Sequence, residues 1–204
     1  MNSGQVLIVS AASGAGKSSL LRALREHMPE LAVAVSHTTR APRPGEVDGE
    51  HYHFVDMARF EAMIAADAFI EHAEVFGNRY GTAKLSVESL LAEGRDVIVE
   101  IDWQGARRVR EVLPGSVSIY IAPPSRDALE ERLRARGQDD EAVIAGRMAQ
   151  ARSELVHWDE YDYLVVNDDF ATATDDLVAI VRAMRLTRSR QAVSQRDLMA
   201  ALLR

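Results

Sequence analysis

The chain is predicted to fold as an α/β protein: a doubly wound parallel sheet, an inserted α+β subdomain and a helical flap. Three observations predict it. Four short apolar runs, at residues 6–9, 97–101, 117–121 and 163–166, are rich in β-branched residues, as strands covered on both faces are. Helical patterns lie between them, and that alternation marks a doubly wound core. Two stretches, 35–82 and 125–155, break the rhythm and are assigned outside the sheet.

The elements follow in order. The first run, VLIV, leads into SAASGAGKSS and a helix over 19–28 that Pro29 closes,. Residues 35–82 hold two turn-rich stretches, RAPRPGEVDGE and FGNRYGT, around the strand-like pieces HYHFV and FIEHAEVF. They read as the inserted subdomain. The run VIVEID at 97–102 is a strand ending in carboxylates, followed by a helix over 106–113 closed by Pro114-Gly115. In 125–155, Asp127 with Glu130 marks a helix start. Gly137 marks its end, and a second helix begins near Asp139. Two helices with a glycine hinge suit a mobile flap. The core is thus assigned to 1–34, 83–124 and 156–190, with a basic, amphipathic helical tail over 191–204 packed on the sheet or on another subunit.

Composition narrows the classes. With 204 residues, 47% hydrophobic and 27% charged, the chain has the makings of one soluble domain,. It has no cysteine, which excludes disulfides, thiolate metal sites and a thiol nucleophile and fits a reducing compartment. The first apolar run is too short for a leader or a membrane span, so a cytoplasmic protein with no membrane partner is expected. A net charge of −7 argues against a nucleic-acid binder,. Any phosphate site must come from local arginine, and arginines cluster near 40–43, 107–110, 132–136 and 182–190.

The loop after the first strand has the chemistry of a phosphate cradle. Backbone N–H groups of a glycine-rich turn, backed by a helix N-terminus, make an anion site. Gly14 and Gly16 give close approach, Lys17 reaches the outer phosphates, and the Ser18 hydroxyl suits Mg²⁺,. The pattern wants glycine at position 11, where this chain has Ala11, and alanine serves if the backbone there keeps a negative φ,. Asp102, at a strand end beside such a loop, is expected near the Mg²⁺ or a bound nucleotide; the alternative is a helix cap.

A phosphate loop alone leaves ATPase, GTPase and kinase open. The insertion discriminates. Arg40 and Arg43, three apart in a proline-rich turn with Tyr52 nearby, are a candidate clamp for a phosphate monoester,; the alternative is a solvated basic loop. Glu71 can accept from N1–H and the 2-amino group of guanine together, while Ser36 or Thr82 donates to O6. Adenine offers a lone pair where Glu71 needs a donor.

At this point the sequence resembles the bacterial guanylate kinases, a family of phosphate-loop nucleoside monophosphate kinases. The resemblance runs from about Gln5 into the C-terminal region. It rests on SGAGKSSL, SHTTRAPRPGEVDGEHYHF, FIEHAEVFGNRYGT, VEIDWQGA, RLRARGQD and VVNDD, in that order. It implies Mg²⁺-dependent phosphoryl transfer from ATP to GMP or dGMP, giving ADP and GDP or dGDP. It implies GMP contacts at Ser36, Arg40, Arg43, Tyr52, Glu71, Tyr80, Thr82 and Asp102. The ATP loop becomes Ala11, Ala12, Ser13, Gly14, Ala15, Gly16, Lys17 and Ser18, with Asn167 near the adenine. Arg132, Arg136 and Arg147 become lid arginines acting with Lys17. A homo-oligomer is compatible with it. A GMP phosphate oxygen is already anionic, so no general base is expected; His37, His53 and His72 are read as structural or surface residues. Two rivals remain at this stage. One is a non-catalytic interaction module of the same fold, which would be expected to lack Lys17 or the lid arginines. The other is a sugar-phosphate kinase, against which Ser36, Glu71 and Thr82 speak.

Overall fold

The computed structural model describes residues 4–75, 77–135 and 141–204. In chain order, β1 (Val6–Ala11), α1 (Lys17–His27) and β2 (Ala32–Val33) open the core. An insertion follows: β3 (His37–Thr38), β4 (His53–Phe54), α2 (Met57–Ala65), β5 (Phe69–Val75) and β6 (Asn78–Ala83). The core resumes with α3 (Lys84–Ala92), β7 (Val97–Glu100), α4 (Trp103–Val112) and β8 (Val117–Ala122). Two flap helices, α5 (Arg126–Ala135) and α6 (Glu141–Leu155), precede a short 3₁₀ turn (Trp158–Glu160). The chain ends with β9 (Tyr163–Val166), α7 (Phe170–Arg185), α8 (Arg188–Ser194) and α9 (Arg196–Leu202).

The core sheet is parallel, in the order β2-β7-β1-β8-β9. Strand β1 lies at its centre, and its successive side chains point to opposite faces. Leu7 and Val9 pack with Leu20, Leu24, Leu177 and Val181 of α1 and α7. Val6 and Ile8 pack with Val87 and Val109 of α3 and α4. Both faces are covered, which is why the run is apolar without alternation. Strand β9 departs from the expectation of a buried strand: it is the sheet edge, and of its four residues only Val165 is buried. Strand β2, two residues long, was too short to be read from the sequence.

The insertion carries its own sheet, ordered β4-β3-β6-β5, with β6 antiparallel to both neighbours and β3 parallel to β4. Phe60 of α2 stacks on Phe69 of β5 at 4.6 Å, and with Ala83 they make a small core. Helix α2 is the helical part of the expected α+β insertion, at a position the sequence had not assigned; Asp56 caps it by accepting the Arg59 N–H at 2.7 Å,. The flap helices fall where expected, though the cap of α5 is Ser125, whose Oγ accepts from the Ala128 N–H at 3.0 Å, ahead of the predicted Asp127. Arg136, Gly137 and Asp139 lie outside the described residues. The tail forms α8 and α9, and α9 buries none of its residues. The start of the tail is tied to the core, with Arg190 on Asp96 at 2.8 Å and Gln191 donating to the Arg185 carbonyl at 2.9 Å.

Candidate active site

The carboxyl end of β1 delivers the loop. Ala11 is still in the strand, paired with Ile121 of β8, so it adopts the extended backbone that alanine accepts freely. The turn beyond it needs two true glycines. Gly14 has φ +89° and Gly16 φ +95°, in the left-handed region,. Neither has space for a Cβ. At Gly14 it would come within 2.9 Å of Leu129 and Leu133 of α5, and at Gly16 within 2.4 Å of the Asn167 side-chain nitrogen. Helix α1 starts at Lys17, two residues earlier than its apolar pattern suggests, and presents its unpaired first-turn N–H groups at the loop.

Side chains from distant elements surround this loop. Lys17 Nζ lies 3.3 Å from Glu100 Oε2, and the Ser18 hydroxyl donates to the same oxygen at 3.4 Å. The Ser13 N–H donates to Glu154 Oε2 of α6 at 2.9 Å. Burial pushes the Glu154 carboxyl above its usual range, with Asp102 adding to the shift and Ser13 and Lys17 opposing it. Asn167 donates from Nδ2 to the Ala15 carbonyl at 2.7 Å, and its backbone carbonyl accepts from Arg132 Nη2 at 2.8 Å. Ala12 packs with Leu129, Leu133 and Ala151, so the base of the flap rests on the loop. Arg147 is half-buried on α6.

The insertion contributes a second half. Glu71 of β5 faces Thr82 of β6, whose hydroxyl donates to Glu71 Oε1 at 2.7 Å. The Ser36 hydroxyl lies 3.2 Å from that of Thr82. Glu71 is only 6% exposed. Burial, with the nearby charge of Asp102, pushes its carboxyl up to about 7 against the pull of Thr82. Helix α4 leaves room for it at Gly105, where a Cβ would stand 2.8 Å from Glu71 Oε2.

Arg40 is held beside Tyr52, with its guanidinium carbon 5.5 Å from the ring centre, within reach of a cation–π contact. The Tyr52 and Tyr80 rings meet edge-on at 5.9 Å. Arg40 Nη2 donates to both oxygens of Glu46, at 2.8 and 2.9 Å, and the Arg43 N–H donates to Glu46 Oε2 at 2.7 Å. The Arg43 side chain itself is exposed. Asp102 caps α4, its Oδ1 accepting from the Gly105 N–H at 2.8 Å. The cap reading of Asp102 thus holds. Its charge also acts on both Glu71 and Glu154, which sets it between the two halves.

Comparison with known proteins bears on this two-part site. The profile of the family described as guanylate kinase matches residues 3–184. The chain belongs to the guanylate kinase family. It is 60% identical over 203 residues to the guanylate kinase of Methylococcus capsulatus, covering all of both chains. It is 58% identical over 205 residues to that of Salmonella typhimurium, covering all of this chain and 99% of that one. The crystal structure of guanylate kinase from Anaplasma phagocytophilum superimposes with a TM-score of 0.74 at 35% identity, covering 93% of this chain and 90% of that one.

Within the family frame, the structure brings together Ser36, Thr82 and Glu71, and separately Arg40, Tyr52 and Tyr80. It gathers Lys17, Ser18, Arg132 and Asn167 at the loop. Arg136 lies outside the described residues. Three carboxylates at the site were not among the predicted residues: Glu46, Glu100 and Glu154. Glu100 stands two residues before Asp102 at the end of a strand, so the period-2 rule offered a signal. Glu46 sits in the same arginine-rich turn as Arg43. Nothing local marked Glu154, because it looks like any surface acid on a helix.

Proposed function

We propose that the protein transfers the γ-phosphoryl group of ATP to GMP or dGMP, giving ADP and GDP or dGDP, with each half of the site holding one nucleotide. The observation that carries the reading is the buried Thr82–Glu71 pair, extended by half-buried Ser36, in a chain that also carries a phosphate loop. An ionised Glu71 accepts from guanine N1–H and the 2-amino group, and the hydroxyls serve O6. Arg40, Arg43, Tyr52 and Tyr80 hold the acceptor phosphate, and Asp102 lies on the same side. The loop from Ala11 to Ser18 holds the donor phosphates, with Lys17 on the outer ones.

A GMP phosphate oxygen attacks the γ-phosphorus in line, and the bond to the β–γ bridging oxygen breaks with its electrons leaving on ADP. The nucleophile is already anionic, so no side chain has to remove a proton. The barrier falls through alignment and charge neutralisation. Lys17, Arg132, Arg136 and Arg147 supply positive charge to the transferring group. Ser18 and Glu100 are hard oxygen donors that meet beside Lys17, and they suit Mg²⁺, directly or through water. That ion would neutralise the donor phosphates when bound.

The test is release of ADP from ATP with GMP, AMP, UMP or a pentose phosphate as acceptor. Turnover with GMP at least about 10⁴-fold above AMP is expected from a site built on such hydrogen bonds. Preference for the pentose phosphate, or no turnover with any acceptor, would contradict the proposal.

A further inference from the structure

The resemblance to guanylate kinases places Asn167 at the adenine of the donor, yet its side chain is engaged elsewhere. Asn167 is 5% exposed. Its backbone N–H continues the pairing of β9 with β8 by donating to the Ala122 carbonyl at 2.8 Å. Its side-chain nitrogen donates to the Ala15 carbonyl at 2.7 Å. Arg132 reaches the same place, with Nη2 on the Asn167 carbonyl at 2.8 Å and Nη1 at 3.5 Å from the Ala15 carbonyl.

The Ala15–Gly16 peptide is planar and trans, so its C=O and N–H point in opposite directions,. A donor that pins the Ala15 oxygen on one side therefore aims the Gly16 N–H to the other. Among the described residues no group accepts from that N–H, and it opens the loop just ahead of α1, where an anion is received. The loop is tied on either side, with the Ala15 N–H on the Ala12 carbonyl at 3.0 Å and the Leu20 N–H on the Gly16 carbonyl at 3.1 Å, so the Ala15–Gly16 peptide between them is set by the contacts to the Ala15 oxygen. The contact is tight enough to exclude any Cβ at Gly16, which would stand 2.4 Å from the Asn167 nitrogen.

We infer that Asn167 is a positioning residue of the phosphate loop, holding the Ala15 carbonyl so that the Gly16 N–H faces the donor phosphates whatever base the donor carries. The inference rests on the reading of this loop as the donor site. Asn167 acts through the backbone, and Arg132 ties the same two segments through the backbone carbonyls of Asn167 and Ala15. Removing the Asn167 side chain deletes one buried neutral hydrogen bond to the Ala15 carbonyl and leaves the longer Arg132 contact at 3.5 Å, so the effect is moderate and confined to the triphosphate.

The experiment uses inorganic tripolyphosphate, a donor tail without a base, as a competitive inhibitor against ATP in the full-length protein. Asn167→Ala, Asn167→Ser and the isosteric Asn167→Asp, which lacks the donor, are compared with wild type, with Tm measured for each. In the variants that keep the wild-type Tm, KM for ATP and Ki for tripolyphosphate are expected to rise by a common factor of about five to ten. KM for GMP should stay within about twofold. A rise for ATP with tripolyphosphate unchanged would overturn the inference in favour of a base contact. So would unchanged constants in folded variants, or equal losses for ATP and GMP. If all three variants lose stability together and affect both substrates alike, Asn167 is a packing residue and the inference falls. If tripolyphosphate competes with GMP in the wild type and not with ATP, the donor-site reading falls first.

Discussion

The two halves of the site are built from different materials. On the donor side the receiving groups are mostly backbone, and the side chains around them act on backbone: Asn167 on Ala15, Glu154 on Ser13. On the acceptor side the receiving groups are side chains that hold one another, Ser36 on Thr82, Thr82 on Glu71 and Arg40 on Glu46. Backbone N–H groups read charge and shape and are indifferent to a base. Buried carboxylates and hydroxyls read a donor–acceptor pattern and leave an unpaired group facing the wrong one. The proposal that the acceptor half discriminates between nucleotides rests on that contrast.

Breaking each half in turn sharpens the contrast. The largest effect is expected from Lys17→Met, which removes the loop side chain proposed to reach the outer phosphates. Single-turnover rates should fall by about 10³-fold, with GMP affinity, measured by titration calorimetry, little changed. Residual activity near that of wild type would remove the loop from the mechanism.

A smaller loss is expected from Glu46→Ala. It frees Arg40 from two bonds and the Arg43 N–H from one, and KM for GMP should rise by about tenfold while KM for ATP holds. If the two constants move together, Glu46 supports the fold and not the clamp.

A change of another kind, in stability, has a definite sign. The Glu71 carboxyl is pushed up to about 7 by burial, well above its unfolded value. Native protein therefore binds more protons than unfolded chain between about pH 4.5 and 7. Stability from this group is full below that window and is lost as pH rises through it. Glu71→Gln keeps an oxygen for Thr82 and removes the titration. Denaturant unfolding should show the variant about equal to wild type near pH 4.5 and more stable above pH 7, by on the order of 2–3 kcal/mol. Equal stabilities across the range would mean that the carboxylate is not strained by its burial.

Much of the core could be read from the chain because its signals are local. A β-branched run between helical patterns makes a parallel strand, and Gly14, Gly16 and Lys17 carry their geometry in their identity. Even Ala11 could be judged, since a strand residue needs no positive φ. The failures have equally physical causes. Strand β9 is as apolar as the other runs, and only strand order makes it an edge. Two-residue strands such as β2 and β3 carry no period at all. Asp102 was expected near the ion or a bound nucleotide, and only the position of Gly105 shows that it also caps α4. Glu154 lies 141 residues from Ser13 along the chain, and no spacing rule reaches that far. The proposed acceptor set was drawn from the chemistry of Arg40, Arg43, Tyr52 and Glu71, and the structure brings Arg40 beside Tyr52 and Glu71 against Thr82. The relay through Thr82 depended on the pairing of β5 with β6, which places the two side chains opposite each other.

The central claim is that Glu71 chooses the acceptor while the donor site remains blind to it. Binding of GMP and of a non-hydrolysable ATP analogue to Glu71→Gln and wild type, measured at pH 8 where Glu71 is mostly ionised, tests this directly. GMP affinity is expected to fall by at least about 100-fold, because the amide presents a donor toward guanine N–H groups, and analogue affinity to stay within about twofold. Equal losses for the two ligands, or GMP binding as tight as in wild type, would contradict it.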